Sequence, residues 1–192
     1  MVKHSRNHVE EKVAELQHQT KSYLHEIKKL IDELHEPARV NIISYFTYSL
    51  NISHDPEQES LCLGSYHLHN IGNQPIINPY LCIKIPKDSP FSFSGKYVYE
   101  HFKQSLKGAG GWERTNEKTN KEEFWLKPLG KPSIEPNEII SFSNFQIKWS
   151  PKETYAGSIT GFTFSDQVKD GIAAINPINL NGTVRIQGDE NE

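Results

Sequence analysis

The hydrophobic period of the chain changes near residue 38. From Val9 to Leu34, Val9, Val13, Leu16, Tyr23, Ile27, Leu30 and Leu34 recur at alternating spacings of four and three, with Thr20 occupying the one polar position in the series. This is the heptad seam of an amphipathic helix. Val13, Thr20, Ile27 and Leu34 take the a positions and Val9, Leu16, Tyr23 and Leu30 the d positions. Leu24 and Ile31 fall at e and widen the stripe toward its C-terminal half. Pro37 disfavours helix at Glu36, so the helix is predicted from about Asn7 to His35. A lone helix of this length is marginal in water, and its stripe needs a surface to bury it, either a second copy or the rest of the chain. The unbroken spacing and the charged outer face favour self-association. Val9, Val13, Leu16, Tyr23, Ile27, Leu30 and Leu34 are thereby the expected oligomerisation residues of a homo-oligomer.

From Val40 onward the period is two, with aromatic and β-branched residues separated by Pro, Gly, Asn and Asp clusters. Eight strands are predicted: Val40 to Ile52, Ser60 to Asn70, Ile76 to Ile85, Phe91 to Lys96, Glu123 to Lys127, Ile139 to Trp149, Ala156 to Phe164 and Gly182 to Gln187. With no regular strand–helix alternation, seven or eight such strands predict a mainly β fold, an antiparallel β-sandwich preceded by the helix. The domains are residues 1–37 and 38–192, the second carrying an insertion over 97–138. In Ser60 to Asn70, Leu61, Leu63, His67 and His69 share one face and Cys62, Gly64, Tyr66 and Leu68 the other. A hairpin turning near Gly72-Asn73 would align Leu61 and Leu63 with Leu81, Ile83 and Ile85 as core, and would bring Cys62 near Cys82 on the opposite face.

The stretch His69-Asn70-Ile71-Gly72-Asn73-Gln74-Pro75-Ile76-Ile77-Asn78-Pro79 resembles the strand–turn–strand of bacterial immunoglobulin-like modules of the CARDB type. The resemblance covers less than a fifth of the chain. It implies an immunoglobulin-like sandwich and a binding or structural role, with no catalytic site.

Composition narrows the function classes. A net charge of −3 and a mean hydropathy of −0.63 argue against a general grip on nucleic acid, and no window is apolar enough to span a bilayer. The N-terminus is charged from Lys3 onward and lacks a secretory pattern, so a cytoplasmic chain is expected. Cys62 and Cys82 lack metal or redox spacing and are expected to be reduced.

Tyr97 to Leu106 reads as a short helix with Val98, Phe102 and Leu106 on one side. Beyond it, Trp112, Phe124 and Trp125 flank a charged loop and are the candidate ligand-binding residues for a protein or glycan partner, against the alternative that they close one end of the core. Gly108 to Gly111 lacks the ending of a phosphate loop. His4 with His8, and His67 with His69, have ligand-like spacing without a third ligand in register, so no metal, cofactor or catalytic residue is assigned. The expected function is a non-enzymatic structural or protein-interaction module that self-associates through its helix. The alternatives are a carbohydrate-binding or metal-dependent enzyme domain, and a phage or spore assembly subunit.

Overall fold

The structure, a computed structural model, describes residues 2–34, 37–99 and 111–183, and within the helix the side chains of residues 11–31. It divides into two units, Met1–Arg39 and Val40–Glu192. The first is helix α1, Val2–Leu34. It begins earlier than predicted because neither Gly nor Pro interrupts the chain before Asn7; the predicted end at His35 lies outside the described residues. Thr20 is accommodated in the seam by a hydrogen bond from its hydroxyl to the Leu16 carbonyl, 2.8 Å away in the preceding turn.

The second unit is a β-sandwich. Its strands are β1 (Ile42–Asn51), β2 (Ser60–Asn70), β3 (Ile76–Ile77), β4 (Tyr80–Lys84), β5 (Ser92–Ser94), β6 (Val98–Tyr99), β7 (Trp112–Arg114), β8 (Glu123–Pro128), β9 (Ser133–Ile134), β10 (Ile139–Trp149), β11 (Tyr155–Phe164), β12 (Ile172–Ala173) and β13 (Ile178–Gly182). One sheet has the order β1-β2-β10-β5. The other runs β12-β11-β4-β8-β7-β6, with β13 also paired to β11, while β3 and β9 form a separate two-stranded ribbon. Pairing is antiparallel except between β6 and β7, which run parallel. Val98 and Tyr99, expected in a short helix, are therefore strand; residues 100–106 of that expectation lie outside the described residues. The segment read as an insertion supplies β7 and β8, integral members of the second sheet. The last predicted strand is displaced toward the N-terminus, where Ile178 and Leu180 alternate into the core.

Two further expectations are corrected. β2 does not form a hairpin with β4; it lies between β1 and β10, with Tyr66 opposite Phe46 and Phe142, while β4 sits in the other sheet between β11 and β8. The buried face of β2 is accordingly Cys62, Gly64, Tyr66 and Leu68, and Leu61 and Leu63 face outward. Both faces of β2 carry apolar residues, so parity alone did not choose between them. Cys62 then points into the sandwich, whereas Cys82 lies on the outer side of the second sheet, so the two thiols are not neighbours. Both are free and buried, as reduced cysteines.

Tyr66 joins the two layers. Its hydroxyl donates to Ser44 Oγ of β1 at 2.8 Å and lies 3.0 Å from Thr163 Oγ1 of β11, all three residues being buried. The ring occupies space left by Gly161, where an added Cβ would overlap the rings of Tyr66 and Phe46. In β10 a bulge between Phe142 and Phe145, with Asn144 at φ 60°, lets two residues three apart in sequence both face the core. The outer edge of β1 is closed by the Asn176 side chain, which accepts from Phe46 N at 2.9 Å and donates to the Phe46 carbonyl at 3.0 Å. Ile175 N adds a bond to the Ser44 carbonyl at 2.8 Å, so this stretch of edge is not open to another strand.

In urea unfolding, Gly161→Ala is expected to lose about 1–3 kcal/mol through overpacking against Tyr66. Tyr66→Phe should lose about 1 kcal/mol, from the missing hydroxyl between Ser44 and Thr163. Midpoints equal to wild type for both would show that the Tyr66 junction does not hold the layers.

Candidate functional site

Strands β4, β8 and β11 lie side by side, and their alternation sets which side chains share the outer face of the second sheet. Leu81, Ile83, Phe124, Leu126 and Ile159 turn inward and are buried. Tyr80, Cys82 and Lys84 of β4, Glu123 and Trp125 of β8, and Phe162 and Phe164 of β11 turn outward, in rows fixed by the pairs Tyr80–Phe164, Cys82–Trp125, Cys82–Phe162 and Lys84–Glu123. The four aromatic residues among them are all half-buried.

The rings form one cluster. Tyr80 and Phe164 stack with centroids 5.1 Å apart and planes 8° from parallel, and Trp125 leans onto Phe164 at 5.2 Å. Cys82, between the Trp125 and Phe162 positions, is left with no exposed surface. One edge of the cluster is charged. Lys84 Nζ lies 2.9 Å from Glu123 Oε1 and 5.5 Å from the centre of the Phe162 ring. The other carboxylate oxygen of Glu123, Oε2, accepts the Trp125 indole N–H at 2.8 Å. The hydrogen bonds from Lys84 and Trp125 hold the Glu123 carboxyl below its ordinary range. The Glu123 bond in turn raises Lys84, so both groups are charged at neutral pH. Trp125 is therefore oriented by a carboxylate that is itself held by a lysine.

Of the three residues read from the sequence as a ligand surface, Trp125 alone is at that surface. Trp112 and Phe124 are 7% and 4% exposed and belong to the core. Trp112 donates from its indole to the Ser141 carbonyl at 3.1 Å and meets Phe142 edge-on. Phe124 packs against Phe93 at 4.3 Å. The physical reason is period two: Phe124 and Trp125 are adjacent on a strand and cannot face the same way. Tyr80, Phe162 and Phe164 were missed because they come from strands distant in sequence. A signal was present in β11, where aromatic residues at 162 and 164 alternate with Gly161 and Thr163, reversing the usual placement of bulky residues inside.

The side chains of His4 and His8 lie outside those described, and the remaining sequence candidates carry no reactive chemistry among the described residues. His67 and His69 do share the outer face of the first sheet. Both nitrogens of His67 are engaged, Nδ1 with Ser141 Oγ at 2.7 Å and Nε2 with Thr47 Oγ1 at 2.8 Å, while Tyr45 stacks on the ring at 4.9 Å. Partial burial lowers the His67 pKa, so the neutral ring acts as a cross-strand polar link at neutral pH. Among the described residues no group of three His, Cys, Asp or Glu side chains is placed to hold a metal ion. Burial pushes the Cys62 thiol up to about 11 and the Cys82 thiol up to about 12, so neither is an available nucleophile at neutral pH. A depression of about 550 Å³ at one end of the sandwich includes His54, Lys152 and Tyr155 in its walls, with no reactive grouping among them. The outer aromatic cluster is the candidate surface among the described residues.

Because the folded pKa of Glu123 is depressed, its stabilising effect is complete above the unfolded carboxyl range and is lost as pH falls through the folded value. The Trp125 indole N–H resonance should therefore shift on acidification with a midpoint below the ordinary glutamate range, and Glu123→Gln should abolish the transition. A midpoint at the ordinary value would contradict the described hydrogen bonds. Truncation separates core from surface: Trp112→Ala and Phe124→Ala are expected to lose about 3–5 kcal/mol in denaturant unfolding, and Trp125→Ala markedly less.

No protein-family model and no curated protein sequence matches the chain. Among solved structures it is similar to the GH20 exo-β-N-acetylglucosaminidase of Vibrio harveyi in complex with N-acetylglucosamine, at 14% identity over 75% of this chain and 18% of that one, with a TM-score of 0.30. It is also similar to a family GH18 chitinase from Chromobacterium violaceum, at 8% identity over 68% of this chain and 18% of that one, with a TM-score of 0.32. A Northeast Structural Genomics Consortium target matches at 12% identity over 80% of this chain and 94% of that one, with a TM-score of 0.31. The chain spans less than a fifth of either glycosidase. Likenesses this loose assign neither a shared fold nor a shared activity.

Proposed function

We propose that this protein is a non-enzymatic interaction module that self-associates through α1 and presents the Trp125 cluster to a protein partner. The observation that carries the reading is the state of the helical seam. Leu16 and Tyr23 are 61% and 64% exposed, and Val13, Ile27 and Leu30 are exposed with them. Leu24 and Ile31 extend the exposed stripe, and one helix has no means of burying its own seam. Pairing of two or more copies along the heptads removes this surface from water, and joining several sandwiches in one assembly raises avidity for a repeated partner. The side chains of Val9 and Leu34, which complete the seam in sequence, lie outside those described.

Ring geometry supports a protein ligand over a glycan. A sugar needs an open aromatic face on which to lie, whereas Tyr80 and Phe164 stack so that each covers one face of the other. A cluster whose Phe162 and Trp125 edge carries Lys84 and Glu123 suits an apolar side chain with polar surroundings, the usual make-up of a small protein interface. An intracellular setting is part of the proposal and is supported by the two reduced, buried cysteines. Among the described residues no helix is long and apolar enough to cross a membrane. The CARDB-type resemblance of residues 69–79 also enters as a proposal. It is supported by the buried Asn70, whose side chain donates to the Gln74 and Ile134 carbonyls at 2.8 Å and accepts from Gly72 N at 2.9 Å.

Light scattering after size exclusion should give a dimer or larger for the full chain. Leu16→Glu with Ile27→Glu, which keeps helix propensity while charging the seam, should give a monomer with an unchanged near-ultraviolet spectrum of the sandwich. A wild-type chain that remains monomeric up to high concentration would overturn the self-association reading.

A further inference from the structure

A second cleft, of about 400 Å³, opens on the other side of β8 from Trp125, in the size range of small-molecule sites. Its apolar wall includes Phe93, Tyr97 and Phe124. Its polar groups are Tyr99, Arg114, Asn120, and the two lysines Lys118 and Lys121. Among the described residues lining it there is no Asp or Glu.

Arg114 gives the cleft its character. It is 4% exposed, and its guanidinium lies over the Phe124 ring at 4.3 Å. Nε donates to Asn116 Oδ1 at 3.0 Å, and Nη2 donates to the carbonyls of Glu117 at 3.1 Å, Glu123 at 3.2 Å and Asn120. Nη1 lies a long 3.4 Å from the Tyr99 hydroxyl, and the Tyr97 hydroxyl is also hydrogen-bonded to the Arg114 side chain. Every one of these acceptors is neutral, and among the described residues no carboxylate pairs with the cation. A buried positive charge offset only by amide and hydroxyl dipoles favours an anion beside it.

Two of the nearby acids are otherwise occupied. The Glu123 carboxylate is on the outer face with Lys84 and Trp125, and Glu117 accepts from the Thr119 hydroxyl at 3.3 Å. Asn120 uses its side-chain oxygen to accept from Glu122 N and Glu123 N, both at 2.9 Å, so its amide N–H groups remain as donors. The cleft therefore offers Asn120 Nδ2 and two flexible ammonium groups as donors next to an aromatic wall, over the buried positive charge of Arg114, whose own N–H groups are already shared with Asn116, the loop carbonyls and the two tyrosine hydroxyls.

We propose that this cleft binds a ring-bearing phosphate monoester, with the phosphoryl group between Lys118, Lys121, Asn120 and Arg114 and the ring against Phe93 and Tyr97. A dianion with several acceptor oxygens matches a set of donors carrying three positive charges better than a carboxylate does. The site is separate from the Trp125 surface, since the inward and outward faces of β8 do not meet, and it stands without the helical seam.

Isothermal titration of the full chain with phenyl phosphate, at fixed ionic strength, tests the assignment. Saturable one-site binding is expected, with phenol, benzoate and inorganic phosphate each weaker by about tenfold or more. Arg114 holds the β7–β8 loop and its loss would unfold that loop, so the variant is Lys118→Gln with Lys121→Gln. It should weaken phenyl phosphate by about tenfold at an unchanged melting temperature. No saturable binding of phenyl phosphate, or equal binding by the double variant, would overturn the site. Equal affinity for phenol would remove the phosphoryl group from the proposal, and equal affinity for inorganic phosphate would remove the ring.

Discussion

The Tyr66 hydroxyl is the point on which the two layers of the sandwich are registered. A buried phenol is costly unless it is hydrogen-bonded, and this one is bonded to a strand in each sheet, to Ser44 in β1 and to Thr163 in β11. The bond lengths leave little freedom for one sheet to slide across the other. Gly161 admits the ring, and Phe46 packs edge-on against it at 4.8 Å. Seating β11 in this position sets the facing of its neighbour β4 and, through β4, that of β8. The outer cluster depends on the same three strands, so the direction of Trp125, Tyr80 and Phe164 follows from a contact on the opposite side of the sheet.

Adjacent residues of one strand serve both faces of the second sheet. Phe124 faces inward, where its ring supports the Arg114 guanidinium, and Trp125 faces outward, where its indole is held by Glu123. Glu123 is used twice, its carbonyl accepting from Arg114 on one side and its carboxylate joining Lys84 and Trp125 on the other. The charged loop between β7 and β8 is ordered by the same guanidinium, which gathers the carbonyls of Glu117, Asn120 and Glu123 around one planar donor set. Aromatic residues thus perform three tasks in this small region: core, cation support and outer surface.

Much of the architecture was legible in the sequence. The 4-3 spacing located α1, and the strand limits of β2 and β10 agree with the alternating pattern because both strands are long and bounded by turn residues. The site was legible in part. Trp125 was singled out with Trp112 and Phe124, although composition gave no means of telling an inward aromatic from an outward one. The parity of β2 was misjudged because Leu61 and Leu63 are as apolar as Cys62 and Leu68, and burial on one face then depends on which sheet covers it.

The sequence by itself determined the period of each segment, and hence a seamed helix followed by a strand-rich body, since local sterics and side-chain alternation need no distant partner. Tertiary structure decided which strands became neighbours. Only the pairing of β4 with both β8 and β11 brings Tyr80, Trp125, Phe162 and Phe164 together, and only the bulge at Asn144 lets Phe142 and Phe145 share a core. Such contacts form between residues up to eighty or more positions apart, where hydrogen-bond register and packing volume select the partner. A window along the chain contains neither quantity.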